Sequence, residues 1–230
     1  MARAPRLAVA GELHHLLQRG HNRQSVFVDE RDRSVYLALL HDAAVQYGVA
    51  IHAYALLDAE VHLLATPARA DSFSRMMQSL GRRYVAAFNR RHGRSGTLWA
   101  GRFLAGVIDG ETLGLDATVY VESLPVARGM AAAPGEWPWS SAAHHLGRRR
   151  DPLVSGHPSY WALGNTPFER ELAHAHRLQE GLSTELSRRF GKMPGRALGP
   201  PGFAARLEEQ TGLRLQPRPR GRPAHHGGRH

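Results

Sequence analysis

The chain contains no cysteine among its 230 residues. That excludes a disulfide framework, a thiolate metal site and a cysteine nucleophile. Lysine is nearly missing as well: of 30 basic residues, Lys192 alone is not arginine. Long apolar runs are also lacking. No stretch approaches the roughly 18 apolar residues of a membrane span, and the apolar part of MARAPRLAVAG is too short for a signal peptide. The expectation is therefore a soluble protein with no membrane partner, cytoplasmic and nucleoid-associated. Negative charge is in short supply too. Against 20 acidic residues the 30 basic ones leave a formal net charge of +10. A surplus of that size favours an anionic partner, nucleic acid first. An apolar content of 42% suffices for a buried core, in one domain plus an extension or in two small domains.

The most informative stretch is Ile51 to Pro67, IHAYALLDAEVHLLATP. It reads as two strands, Ile51–Leu57 and Val61–Ala65, joined by a linker too short for anything but a hairpin. If Glu60 already belongs to the second strand, alternation points its carboxylate the same way as the His62 imidazole. Two such side chains on one sheet face can hold a divalent cation. The alternative is a polar strand end with a surface Glu and a half-buried His.

Around this hairpin the chain alternates strands and helices. Glu12–Gln18 reads as a first strand, followed by a helix from Asp29 or Asp32 to about Tyr47. A second helix begins at Asp71 or Ser72, with Phe73, Met76, Met77, Leu80, Tyr84 and Phe88 on one stripe, which is core packing. Its other faces carry Arg75, Arg82, Arg83, Arg90 and Arg91, and only Arg75 has an acidic residue four positions away. Such a run points to phosphate contact. Phe103–Ile108 gives a fourth strand, and Asp109 and Thr112 open a third helix that carries Tyr120 and closes at Pro125. Leu113, Ala117, Tyr120 and Leu124 share a face, so Tyr120 on this reading is a core residue. The order is a split βαβ pattern: an α+β fold whose antiparallel sheet has helices against one face and the other face free for a ligand.

Residues 144–165 read as irregular, and Thr166-Pro167-Phe168-Glu169 as a strong helix start with a capping box. A helix at 183–190 and a short amphipathic one at 203–210 complete a mostly helical extension, 146–215. The tail, 216–230, holds Arg218, Arg220 and Arg222 in an Arg-Gly-Arg-Pro context resembling an AT-hook. Glycine lets such a backbone approach the narrow minor groove of A·T-rich duplex, where negative potential is concentrated.

Several motifs recur in one order: His15 with Arg19-Gly20-His21-Asn22-Arg23-Gln24, Ile51-His52-Ala53-Tyr54, Val61-His62-Leu63-Leu64, Phe88-Asn89-Arg90-Arg91-His92-Gly93, Gly101-Arg102-Phe103, Tyr120-Val121-Glu122 with Pro125-Val126, and Trp137-Pro138-Trp139-Ser140-Ser141. Over about residues 6–145 this order resembles the REP-associated tyrosine transposases, a branch of the HUH transposases. The resemblance implies a ferredoxin-like domain at 1–145 that grips DNA hairpins, cleaves single-stranded DNA and works as a monomer or homodimer. It implies Tyr120 as nucleophile, forming a 5′-phosphotyrosyl link. A phenol of pKa about 10 needs help at neutral pH, which the family takes from Mg²⁺ or Mn²⁺. It further implies DNA contacts from Arg19, Asn22, Arg23, Arg82, Arg83, Arg90, Arg91 and Arg102. Two positions depart from the family pattern. Glu60 replaces the first histidine of a His-hydrophobe-His metal pair, and Leu124 stands where a polar ligand follows the tyrosine by one turn. Glu60 is a sound ligand for a hard cation, whereas Leu124 cannot be one. A catalytically lapsed DNA-binding protein of the same ancestry is the competing expectation. An RNA-binding module ranks last, because no aromatic RNP-type strand is present.

Overall fold

The computed structural model describes residues 8–192 and 197–212. The Arg218, Arg220 and Arg222 motif lies outside the described residues. Strand β1 (Leu13–Arg19) leads to helix α1 (Glu30–Tyr47), hairpin β2 (Val49–Leu56) and β3 (Glu60–Pro67), and helix α2 (Ser72–Arg91). Strand β4 (Leu104–Ile108) and helix α3 (Gly110–Ala127) follow. The sheet order β2-β3-β1-β4 is that of the expected split βαβ core, and these four strands pair antiparallel. A fifth short strand, β5 (Ala197–Leu198), pairs parallel with β4, so the sheet is mixed.

Local chemistry accounts for the main elements. Asp29 caps α1 by accepting from the Asp32 amide, and Gly48 ends the helix at φ 64°, a left-handed conformation that glycine takes without strain. The α2 stripe of Phe73, Met76, Met77, Leu80, Tyr84 and Phe88 is buried as its spacing predicts. With Tyr36, Leu40 and Ala43 of α1 it covers Leu16, Tyr54, Leu63 and Ala65 on one sheet face. Each leucine, methionine or phenylalanine among them stabilises by about 1.5–3 kcal/mol when fully buried.

The opposite face is not free. Helix α3 lies across it, burying Ala117, Val121 and Leu124 against Leu13, Ala53, Ala55 and Leu64. The apolar runs of β1 and β3 fill both faces and so call for two covers, a signal that the split βαβ order alone does not carry. Pro125 also does not end α3, which runs to Ala127. The first helical turn is where proline is normally tolerated, yet in this last turn Arg128, Gly129 and Met130 amides bond back to Leu124, Val126 and Pro125 carbonyls.

Chain on both sides of residue 145 shares one core. The stretch read as irregular, 144–165, holds the end of one short helix, α4 (Ala142–His145), and all of another, α5 (Pro158–Trp161). They are followed by α6 (Pro167–Glu180), α7 (Thr184–Gly191) and α8 (Phe203–Thr211). Thr166 and Glu169 form the capping box that their spacing predicts. Phe190 of α7 enters the α3 side of the core, and Phe203 and Leu207 of α8 pack with Val9 and Val107. Segments after α3 also line the outer edge of β2: Leu56 donates to Trp139, Ser141 to Tyr54 and Ser155 to Ile51 through their amides. No helix among the described residues is long and apolar enough to cross a membrane.

Candidate active site

Glu60 is the first residue of β3, opposite Arg19 of β1, and His62 stands opposite Leu17. A spacing of two sends both side chains to one face, the face under α3. Glu60 Oε1 lies 3.6 Å from His62 Nε2. His62 is oriented from behind, with its Nδ1 2.9 Å from His15 Nε2 on the neighbouring strand. Burial pushes the pKa of both imidazoles down, so each is neutral near pH 7. With the shared proton on His62 Nδ1, donated to His15, the His62 Nε2 lone pair faces Glu60. Glu60 Oε1, His62 Nε2 and His15 Nδ1 are all buried without a hydrogen-bond partner.

Two guanidiniums flank the carboxylate. Arg19 donates Nε to Glu60 Oε2 at 3.1 Å, and Arg128 Nη2 lies 2.6 Å from Oε1. The Glu60 carboxyl is held down at about 2, by the His62 imidazole first when that ring carries a second proton, then by Arg19 and Arg128, against the opposing effect of burial. At 3.6 Å the His62 contact is electrostatic rather than a hydrogen bond. Arg19, Arg23, Glu60, Arg128 and Met130 line an open cavity of about 610 Å³. Its rim is the tight turn after β1, where Asn22 and Arg23 take φ of 50° and 58°. Gly20 is required there, since a Cβ would sit 2.2 Å from the Gln24 carbonyl oxygen.

Tyr120 comes from above. Asp109 caps α3 by accepting from the Glu111 and Thr112 amides, and the Leu113–Ala117–Tyr120–Leu124 stripe turns toward the sheet. The Tyr120 ring meets His15 edge-on with centroids 5.8 Å apart, and stacks on Phe190 at 5.2 Å. Its hydroxyl lies under Gly191, where a Cβ would come within 3.6 Å of it. Burial raises the hydroxyl pKa, an effect that Arg128 and Arg19 oppose and Glu60 reinforces. Leu124 is buried in the apolar cluster and offers no ligand atom.

The arginines separate into two sets. Arg82, Arg90, Arg102 and Arg23 are exposed, without a partner among the described residues. Arg83 pairs with Asp42 at 3.1 Å, and Arg91 with Asp29 and Asp32. Those carboxylates belong to α1 or its cap, so counting four residues along α2 could not find them. Asn22 is exposed on the same turn as Arg23.

A second ligand-type group lies behind α3. Glu122, His145 and His174 are buried, with their ligand atoms all within 4.8 Å of one another. The distances are those of hydrogen bonds: Glu122 Oε1 to His145 Nδ1 and Oε2 to His174 Nε2 are both 2.7 Å, and Ser141 Oγ also donates to Oε1. This group ties α3 to α4 and α6.

A family model, Transposase IS200 like, matches residues 9–123, half of the chain. The chain belongs to the IS200-like transposase family. Glu60, His62, His15 and Tyr120 lie within the matched residues; Arg128, Phe190, His145 and His174 lie beyond them. Among solved structures, a REP-associated tyrosine transposase bound to a REP hairpin is similar in fold, at 19% identity and a TM-score of 0.53. The match covers 68% of this chain and 92% of that one. A Deinococcus radiodurans R1 protein described as a transposase matches at 24% identity over 58% of this chain and all of that one, with a TM-score of 0.37, too low to bear on the fold. No curated protein matches.

The sequence points to Glu60 and His62 on one strand face and to Tyr120 on an inward stripe; it gives His15 only as part of a motif, and Arg128 and Phe190 not at all. His15 carried a signal, an imidazole inside an otherwise apolar strand beside another apolar strand bearing His62. Arg128 carried only its charge. Phe190, seventy residues from Tyr120, carried none.

Proposed function

We propose that this chain is a DNA-binding transposase that cleaves and rejoins single-stranded DNA at hairpins or palindromic repeats, with Tyr120 as nucleophile. The observation that carries this reading is Tyr120 held edge-on over the His15–His62–Glu60 row. In the step, the Tyr120 hydroxyl attacks phosphorus; a P–O bond to tyrosine forms and the P–O3′ bond breaks. The phenolic proton passes in net to the departing 3′-oxygen. The 5′-phosphotyrosyl bond conserves the phosphodiester for rejoining. Family membership and the fold likeness to a protein bound to a REP hairpin support DNA as the partner.

The donor set suits Mg²⁺ or Mn²⁺: a carboxylate oxygen and an imidazole nitrogen, both buried and lacking a hydrogen-bond partner, face each other. Glu60 and His62 would hold such an ion, with His15 orienting His62. When bound it supplies positive charge that polarises the phosphate and offsets charge developing on the oxygens. The protein's own part is to fix Tyr120 by the Phe190 and His15 rings and to meet the DNA backbone with Arg19, Arg23, Arg82, Arg90 and Arg102.

A second reading, a DNA-binding protein whose cleavage has lapsed, draws on Leu124 and on the ion pair that Arg128 makes with Glu60. A labelled hairpin with single-stranded flanks, incubated with Mn²⁺, separates the two. A covalent protein–DNA adduct from the natural chain, absent in Tyr120→Phe, supports the transposase. Adduct appearing only after Glu60→His with Leu124→Asn supports the lapsed binder. No adduct from either overturns the catalytic assignment.

A further inference from the structure

The two arginines on Glu60 hold different oxygens. Arg19 takes Oε2, whereas Arg128 approaches Oε1. Oε1 is the oxygen that faces His62 Nε2 across 3.6 Å, and so the one a cation shared with His62 requires. The Arg128 contact is an ion pair without an aligned hydrogen bond, since Oε1 remains unsatisfied as an acceptor. Its two ends are unequal: the Glu60 side chain is 11% exposed and Arg128 is 52% exposed. The carboxylate is therefore fixed on a strand, while Arg128 is the capping residue at the end of α3 and its side chain borders the 610 Å³ cavity. Two positive charges cannot both sit at contact distance on one carboxylate oxygen without strong repulsion.

We propose that Arg128 is a built-in competitor for the cation at Glu60 and His62, holding Glu60 Oε1 in the cation-free protein and yielding it by swinging into the adjoining cavity. The proposal rests on the reading that Glu60 and His62 take a divalent cation. The displaced guanidinium would join Arg19 and Arg23 in a cavity whose further carboxylate, Asp58, is paired with Arg33, which leaves the arginines to receive a phosphate group. By reciprocity, cation and DNA strand then strengthen each other's binding.

The test is Mn²⁺ binding, followed by electron paramagnetic resonance of the free ion at constant ionic strength, on the full chain without DNA. Thermal melting of each variant checks its fold. Arg128→Gln should bind Mn²⁺ about threefold to fivefold more tightly than the natural chain, the upper end of the scale for a partly exposed ion pair. Arg23→Gln removes the same charge from the same cavity without touching Glu60, and should change affinity less than about twofold. Equal gains in the two variants would reduce the effect to net charge and overturn the proposal. Unchanged or weaker binding in Arg128→Gln would overturn it as well. Glu60→Gln isolates the underlying reading: Mn²⁺ affinity that survives this change, or no binding by any variant, would remove the cation site and the competitor with it.

Discussion

Replacing Glu122 by leucine should cost this protein much of its stability. The carboxylate is fully buried and accepts three hydrogen bonds, from His145 Nδ1, His174 Nε2 and Ser141 Oγ. Leucine fills a similar volume but leaves three buried donors with no acceptor, each worth about 1–3 kcal/mol when stranded. Such costs do not add fully, because the imidazoles can relax toward each other. A loss of about 3–5 kcal/mol is expected, the range for breaking a buried charged network. Against a total stability of about 5–15 kcal/mol, that lowers the melting temperature by roughly 10 °C in a chain of this size. Thermal melting by circular dichroism at neutral pH, with a urea titration beside it, measures both. A loss under about 1 kcal/mol would refute the claim that this group clamps α3 to α4 and α6. A large fall in the melting temperature of the natural chain on adding a chelator would refute the hydrogen-bond account differently, by making the three side chains metal ligands.

Arg82→Gln and Arg90→Gln should each weaken hairpin binding uniformly across sequences and reduce the slope of log affinity against log salt by about 0.7–0.9. Arg91→Gln should instead lower the melting temperature and leave that slope unchanged, because its guanidinium is bound to Asp29 and Asp32. Equal slope changes for all three would sink the division. Acid should also be destabilising through His14, whose burial pushes its pKa down to about 4. The unfolded imidazole takes its proton near 6.5, so this contribution is complete above that pH and is lost as pH falls from about 6.5 toward 4, amounting to about 3 kcal/mol. Urea titrations across that window should show a shallower pH dependence in His14→Asn than in the natural chain; identical slopes would contradict the assignment.

Much of the fold was legible because its signals are local. The α2 stripe repeats at helical spacing, the Thr166–Glu169 capping box spans four residues, and a two-residue spacing sufficed to put Glu60 and His62 on one face. What was hidden depends on contacts between distant segments. The cover over the second sheet face, the Phe190 ring on Tyr120 and the Asp partners of Arg83 and Arg91 all join residues far apart in the chain. Periodicity reports which side of an element is apolar, not which neighbour arrives to cover it. Thus the stripe containing Tyr120 was legible as inward-facing, but the histidines and arginines around its ring were not.

The lining of the β2 edge by residues 139–155 and the pairing of β4 with β5 bear on how this protein can meet other chains. An outer strand with unspent amides and carbonyls invites a foreign strand to add itself, the route to runaway stacking. Here β2 and the end of β4 take partners from the same polypeptide, which leaves less open strand for a second copy to pair with. The same arrangement makes the later segments a safeguard. A chain cut after His145 would lose the Ser155 contact and β5 together, and would expose sheet margins that the intact molecule keeps engaged.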